Sequence, residues 1–274
     1  MAEKAILFDS TKCMGCRGCQ VACKQWNGLK AEETTNTGSY ENPADLSPDT
    51  WLKMRFIEVE RNGKVAWLFN RRSCMHCTDA ACVAVCPTGA LYRDPRGMVS
   101  YDKGKCTGCG YCVEFCPFDV PRMDKNRASG LGKMDKCTLC TTPGLDRLAE
   151  GEEPACVKTC PPGALVFGYR DDLVAAGKAR VAALKGQGYS KANLYGENEL
   201  NGLHVLYVLD DSPKVYDMIE NPSYPATATA WKDVVQPLGW AVGGAVALGL
   251  VLNVVVARAR QIREKEETGN ASRS

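Results

Sequence analysis

Three features of the sequence predict an α+β fold of two interleaved cysteine-rich modules that ends in a single transmembrane helix. Sixteen cysteines fall into four groups of four, with none left over. Parts of the cysteine pattern repeat within the chain, and a run of 24 residues near the C-terminus carries no charge. The rest of the composition is ordinary: 274 residues, 45% hydrophobic, with 34 Lys and Arg against 32 Asp and Glu for a net charge of +2. That balance excludes a disordered tail, a collagen-like repeat and a strongly basic nucleic-acid binder, so no nucleic-acid partner is expected.

The spacing within each group points to its chemistry. Cys13, Cys16, Cys19 and Cys23 read C-x2-C-x2-C-x3-C, and Cys106, Cys109, Cys112 and Cys116 repeat that spacing. Cys74, Cys77, Cys82 and Cys86 widen the middle gap to four residues, and Cys137, Cys140, Cys156 and Cys160 widen it to fifteen. A C-x2-C-x2-C loop is short enough to wrap a cubane and present three thiolates to three irons. The cysteine after x3 points away and, in two-cluster ferredoxins, ligates the other cluster. Proline follows that cysteine in three groups (Pro87, Pro117, Pro161), whereas Cys23 is followed by Lys24. A disulfide framework and a zinc site are the competing readings. The chain is too long to need disulfide staples, and an evenly spaced cysteine triple is not the zinc pattern. A Rieske centre would need two histidines in place of two cysteines, but His76 and His204 lie far apart and no cysteine is missing.

The fourth-cysteine rule assigns four [4Fe–4S] clusters. Cys13, Cys16 and Cys19 share one with Cys160; Cys74, Cys77 and Cys82 share one with Cys116. Cys106, Cys109 and Cys112 take Cys86, and Cys137, Cys140 and Cys156 take Cys23. Each pair of exchanging quartets is a bacterial dicluster ferredoxin-like module. The inner module is expected over 51–117, and the outer one over 1–50 and 118–209, split around it. The repeat agrees: Cys86-Pro87-Thr88-Gly89-Ala90-Leu91 recurs as Cys160-Pro161-Pro162-Gly163-Ala164-Leu165.

Between the quartets, residues 53–61 and 64–70 alternate around Asn62-Gly63, a hairpin signal. A second hairpin joins Ala90–Tyr92 to Met98–Tyr101 around Asp94-Pro95-Arg96-Gly97. Residues 24–50, rich in Thr, Asn, Gly and Pro, read as an ordered loop or partner-contact arm. Residues 171–186 carry Leu173, Val174, Val181 and Leu184 at helical spacing and read as a covering helix. Residues 210–233, with three prolines before 230, read as an extended tether. Lys12, Arg17, Lys24, Lys105 and Lys136 stand near cluster ligands and read either as charges that raise cluster potentials or as a solvated face. His76 reads as a donor to a cluster sulfide or an acidic partner, or as a packed side chain; His204, in the apolar run 203–209, reads as structural.

Val234 to Ala257 is the charge-free run, and Leu238 to Ala257 is nearly all apolar, long enough for a hydrocarbon core. A transmembrane helix is expected over 234–258 and a tail over 259–274. Arg258, Arg260, Arg263 and Lys265 follow it, against Lys232 alone close before it, which places the C-terminus in the cytoplasm and the cluster body outside. Gly239 and Gly243 form a G-x-x-x-G pair, suited to close approach of a partner helix. Met1 to Phe8 lacks an export signal and Arg71-Arg72 is internal, so export would depend on a partner's signal. No nucleophile–base constellation or pterin-binding signature is visible. No catalytic residue is expected: the chain is read as non-catalytic.

Cys13-Met14-Gly15-Cys16-Arg17-Gly18-Cys19-Gln20-Val21-Ala22-Cys23-Lys24-Gln25-Trp26-Asn27, Thr35-Asn36-Thr37-Gly38-Ser39-Tyr40-Glu41-Asn42-Pro43 and Arg72-Ser73-Cys74-Met75-His76-Cys77 resemble motifs of the beta subunit of membrane-bound respiratory formate dehydrogenase. The resemblance covers nearly the whole chain. The four-cluster pattern itself is shared with the electron-transfer subunits of several molybdopterin oxidoreductases, which leaves polysulfide, sulfoxide and hydrogenase complexes as alternatives. It implies a relay in the inner membrane, from a molybdenum- or tungsten-pterin catalytic alpha subunit to a membrane cytochrome b gamma subunit and quinone. It further implies that the Cys13 cluster faces the catalytic subunit and the Cys74, Cys77, Cys82 and Cys116 cluster lies nearest the membrane. Nitrate-reductase relatives replace one ligand by Trp; here all sixteen cysteines are present, against that branch.

Overall fold

In the computed structural model, which describes residues 2–124 and 132–271, the N-terminal strand β1 (Lys4–Asp9) runs into the first cysteine loop and helix α1 (Gly18–Trp26). The first expected hairpin forms as β2 (Lys53–Arg61) and β3 (Lys64–Arg72), in register from Lys53 opposite Arg72 to Arg61 opposite Lys64. Short helix α2 (Ala81–Ala84) is followed by the second hairpin, β4 (Leu91–Arg93) with β5 (Val99–Tyr101), and by α3 (Tyr111–Glu114). Two-residue pairs follow: β6 (Arg122–Met123) with β7 (Met134–Asp135), and β8 (Thr141–Thr142) with β9 (Leu145–Asp146). Then come α4 (Ala155–Lys158), β10 (Leu165–Tyr169), the expected long helix α5 (Arg170–Gly186), β11 (Asn193–Tyr195) and β12 (Val205–Leu209).

The interleaving is visible in the packing. Helix α1 packs on α4, joining the first quartet to the last, and α2 packs on α3, joining the inner two. A four-stranded sheet, ordered β10-β1-β12-β11, closes the outer module. Strand β1 pairs antiparallel with β10 and parallel with β12, which lies almost 200 residues later in the chain. Period-2 alternation sorts its side chains. Ala5, Leu7, Leu206 and Val208 face Leu173 and Leu184 of α5, whereas Ile6, Phe8, Val205, Tyr207 and Leu209 join the core that holds most of the cysteines. Every residue of β12 is buried, as expected of a strand covered on both faces.

The two modules share one compact unit, Met1–Pro225; the second unit starts at Ala226. Residues 210–225 differ from the extended tether expected. Pro213–Tyr216 forms a 3-10 turn, and Tyr216 is buried, donating to Asp210 at 2.6 Å and accepting from Ser10 at 3.0 Å. A phenol with two buried polar partners is worth more packed than solvated, and this overrides the proline-rich composition. The second unit contains α6 (Ala226–Ala230), a π-helical turn Trp231–Val235 and α7 (Gln236–Ala271). Helix therefore begins earlier than 234, after Pro225, and runs past 258 because no glycine or proline interrupts the chain from 258 to Gly269. Among the described residues, Ala226–Arg263 is the one helix long and apolar enough to cross a membrane.

Candidate iron–sulfur centres

All sixteen cysteines are free thiols. Three cavities are each lined by three cysteines of one quartet and the last cysteine of its partner. Cys13, Cys16, Cys19 and Cys160 line the first, walled also by Phe8, Met54 and Leu165. Cys74, Cys77, Cys82 and Cys116 line the second, with Met75, Val99, Phe118 and Val120. Cys86, Cys106, Cys109 and Cys112 line the third, with Leu91, Tyr101 and Met134. In the fourth set, the sulfurs of Cys137, Cys156 and Cys140 all act on Cys23, and all four residues are buried.

The local chain explains the convergence. Short helices α2, α3 and α4 carry the third cysteine of their quartets and end two residues before the fourth, whereas α1 holds both Cys19 and Cys23. Backbone N–H groups turn onto the sulfurs: Gly15 donates to Cys13 and Leu139 to Cys137, both at 3.4 Å. N–H···S bonds of this kind stabilise negative charge on sulfur.

The donor sets fit a [4Fe–4S] core. Burial pushes the Cys13 and Cys116 thiols up to about 11 and those of Cys19, Cys112 and Cys140 up to about 12. Four such groups ionise together only around a cationic centre, so loading with iron releases protons. Cys106 is the exception. Burial raises it, but the Met134 N–H, the Tyr101 hydroxyl, the Gly108 N–H and Lys133 outweigh that and hold it below the ordinary thiol value. Among the described residues no three His, Cys, Asp or Glu side chains gather tightly enough for a single metal ion. A cubane spreads its four thiolates over four irons and does not require such crowding.

The sets adjoin in a series. Cys156 acts on Cys19, Cys137 on Cys74, and Cys112 on Cys82, which orders them as the Cys13, Cys23, Cys74 and Cys86 sets. Only the first and last sets contain an exposed cysteine residue, Cys16 and Cys109.

Two basic side chains lie inside this series. Lys136 is 1% exposed, its Nζ donating to the carbonyls of Val99 at 2.6 Å and Cys137 at 2.9 Å, which excludes the solvated-face reading for it. Arg71, also 1% exposed, has no role in the sequence reading, where Arg71-Arg72 is only an internal pair that is not an export signal. Its Nη2 lies 3.9 Å from Cys156 Sγ. Lys12 and Lys105 are exposed; Arg17 covers the Phe56 ring at 4.8 Å, and Lys24 bonds the Lys30 carbonyl at 2.7 Å. His76 is buried but lies outside the wall of the Cys74 cavity, and its Nδ1 accepts from the Val99 N–H at 3.1 Å. His204 Nδ1 donates to the His76 carbonyl at 2.7 Å and Nε2 lies 3.1 Å from Glu3, a structural clamp between the ligand loop and the N-terminus.

Fold and site together define a ferredoxin-type electron-transfer protein anchored by one apolar helix. The family description "4Fe-4S dicluster domain" matches residues 12–90 and 65–170, and "Formate dehydrogenase N, transmembrane" matches 225–267. The nitrate-inducible formate dehydrogenase iron–sulfur subunit of Escherichia coli K12 is 40% identical over 271 residues, covering 97% of this chain and 90% of that protein. The formate dehydrogenase-O iron–sulfur subunit of the same organism is 44% identical over 240 residues, 86% of this chain and 77% of that one. The hydrogenase-2 operon protein HybA of E. coli O157:H7 is 36% identical over 247 residues, covering 78% and 74% of the two chains. The chain belongs to the family of formate dehydrogenase iron–sulfur subunits, electron-transfer rather than catalytic chains that carry 4Fe-4S centres and a membrane anchor.

Proposed function

We propose that this chain carries four [4Fe–4S] clusters on the four crossed cysteine sets and relays electrons from formate oxidation to a membrane quinone. When bound, the clusters supply one-electron carriers at fixed positions. The observation that carries this reading is the lining of the cavities, three thiols from one quartet and the fourth from its partner. Oxidation of HCOO⁻ to CO2 and H⁺ releases two electrons, which a molybdenum- or tungsten-pterin alpha subunit would deliver singly. The chain's own part is to fix the spacing, exclude water from the two interior sets and hold charge beside them.

Exposed Cys16 and Cys109 support entry at the Cys13 set and exit at the Cys86 set. The exit thus moves away from the interior Cys74 set, expected from resemblance to lie nearest the membrane. The receiving partner is a cytochrome b gamma subunit in the bilayer, reached while the helix anchors the chain. Arg258, Arg260, Arg263 and Lys265 after the charge-free run favour a cytoplasmic C-terminus in the inner membrane and a periplasmic cluster body. The likeness to the hydrogenase-2 operon protein supports a second reading, the same relay with a hydrogenase as electron source. The complex isolated with its large subunit should contain molybdenum or tungsten and reduce quinone with formate; a nickel-containing partner and hydrogen-dependent reduction would replace formate with the second reading.

A further inference from the structure

We propose that the Arg71 guanidinium is a fixed interior charge that raises the reduction potential of the cluster held by Cys23, Cys137, Cys140 and Cys156. The proposal rests on the cluster reading above.

Arg71 lies near the end of β3, just before the Cys74 loop, and is 1% exposed. A buried cation normally has a carboxylate beside it, because the loss of hydration otherwise goes uncompensated. Among the described residues no carboxylate pairs with Arg71. Nη1 donates to the Ser73 hydroxyl, Nη2 lies 3.9 Å from Cys156 Sγ, and Nε has no protein partner. The Tyr207 hydroxyl donates to the arginine's own carbonyl, at 2.7 Å, and so offers it no negative charge. The surrounding cysteine sets are the remaining source of compensation.

The position is a junction. Arg71 acts on Cys19 of the entry set, on Cys23 and Cys156 of the first interior set, and on Cys74 of the next. Its one direct sulfur contact, to Cys156, assigns the largest effect to the first interior set. An electron added there increases the negative charge beside the cation, so the reduced form gains more than the oxidised form. In the low-dielectric interior this attraction is screened little by water or salt. Entry-set Cys16, by contrast, reaches solvent. The result is a step in potential that draws an electron inward from the Cys13 set.

The test uses the intact membrane complex carrying Arg71→Gln or Arg71→Lys. Iron and acid-labile sulfide are measured first, then the clusters are titrated potentiometrically by electron paramagnetic resonance. The signal of this set is assigned by its change in a Cys140→Ser variant. With iron content intact, Arg71→Gln should lower the reduced-to-oxidised ratio of that cluster about tenfold at a fixed potential, a 59 mV shift for a one-electron couple. Arg71→Lys should recover most of it. Unchanged potentials in a fully loaded Arg71→Gln complex, or equal shifts in both variants, overturn the proposal. If Arg71→Gln does not load, the wild type decides: the potential of this cluster should hold between low and high ionic strength while those of the end clusters move, and equal movement overturns it. Wild-type complex without four four-iron clusters would instead defeat the cluster reading on which the proposal stands.

Discussion

The Arg61 guanidinium grips the Asp210 carboxylate with two bonds, 2.6 Å and 3.0 Å long, joining the tip of the β2–β3 hairpin to the end of the central strand β12. Burial raises the Asp210 carboxyl, but the bonds from Arg61 and Tyr216 outweigh it and hold the group below the usual carboxylate range. Asp210→Asn keeps the shape but removes the charge and should destabilise the body by about 1–3 kcal/mol at pH 7. Because the folded value is depressed, the contribution is complete above the unfolded value of about 3.9 and disappears as pH falls through the lower folded value. Thermal unfolding of the two proteins should therefore differ fully at pH 7 and converge below about pH 4. A constant difference across that range would show that Asp210 acts through packing alone.

Gly97 closes the β4–β5 hairpin at φ +96°, and a Cβ added there would lie 2.3 Å from Nε2 of the fully buried His204. Gly188 has nearly the same φ, +97°, with nothing within 4 Å of such a Cβ. Both substitutions to Ala strain the backbone by about 1–3 kcal/mol. Gly97→Ala must in addition displace the His204 clamp, so its melting temperature should fall several degrees below that of Gly188→Ala. Equal melting temperatures would mean that the clamp yields without loss.

Val246 lies at the middle of the charge-free run and is exposed along α7. An arginine at the centre of a membrane helix costs about 2.5–3.5 kcal/mol in insertion. Val246→Arg should shift the chain from the carbonate-washed membrane pellet toward the soluble fraction. Pro213→Ala, in the cluster body, should leave that distribution unchanged.

The four cysteine quartets were legible because spacing is what a sequence displays; that three cavities are each lined by cysteines of two quartets is what the fold adds. Both hairpins and α5 were legible for the same reason, since a turn dipeptide or a helical period is a short-range signal. The sheet was not: β1 pairs with β12 across almost 200 residues, and neither strand announces the other. The sequence left Lys136 open between a charge beside a cluster and a solvated face; its position between Asp135 of β7 and Cys137 carries it into the interior. Tyr216 was hidden by neighbouring prolines that suggested an extended tether, because its burial depends on Asp210 and Ser10. The series of the four sets depends on which loops meet in space, which no local spacing displays; in the fold Cys109 of the Cys86 set is exposed, whereas no cysteine of the Cys74 set is.

The crossed sets are the centre of the account, and a structure of the loaded protein phased at the iron absorption edge tests them most directly. It should show four four-iron clusters, with Cys86 bonded to the cluster of Cys106, Cys109 and Cys112, and Cys116 to that of Cys74, Cys77 and Cys82. Cys160 should likewise close the Cys13 cluster and Cys23 the Cys137 cluster. Quartets that each close on their own cluster, or single metal ions in place of clusters, would contradict it.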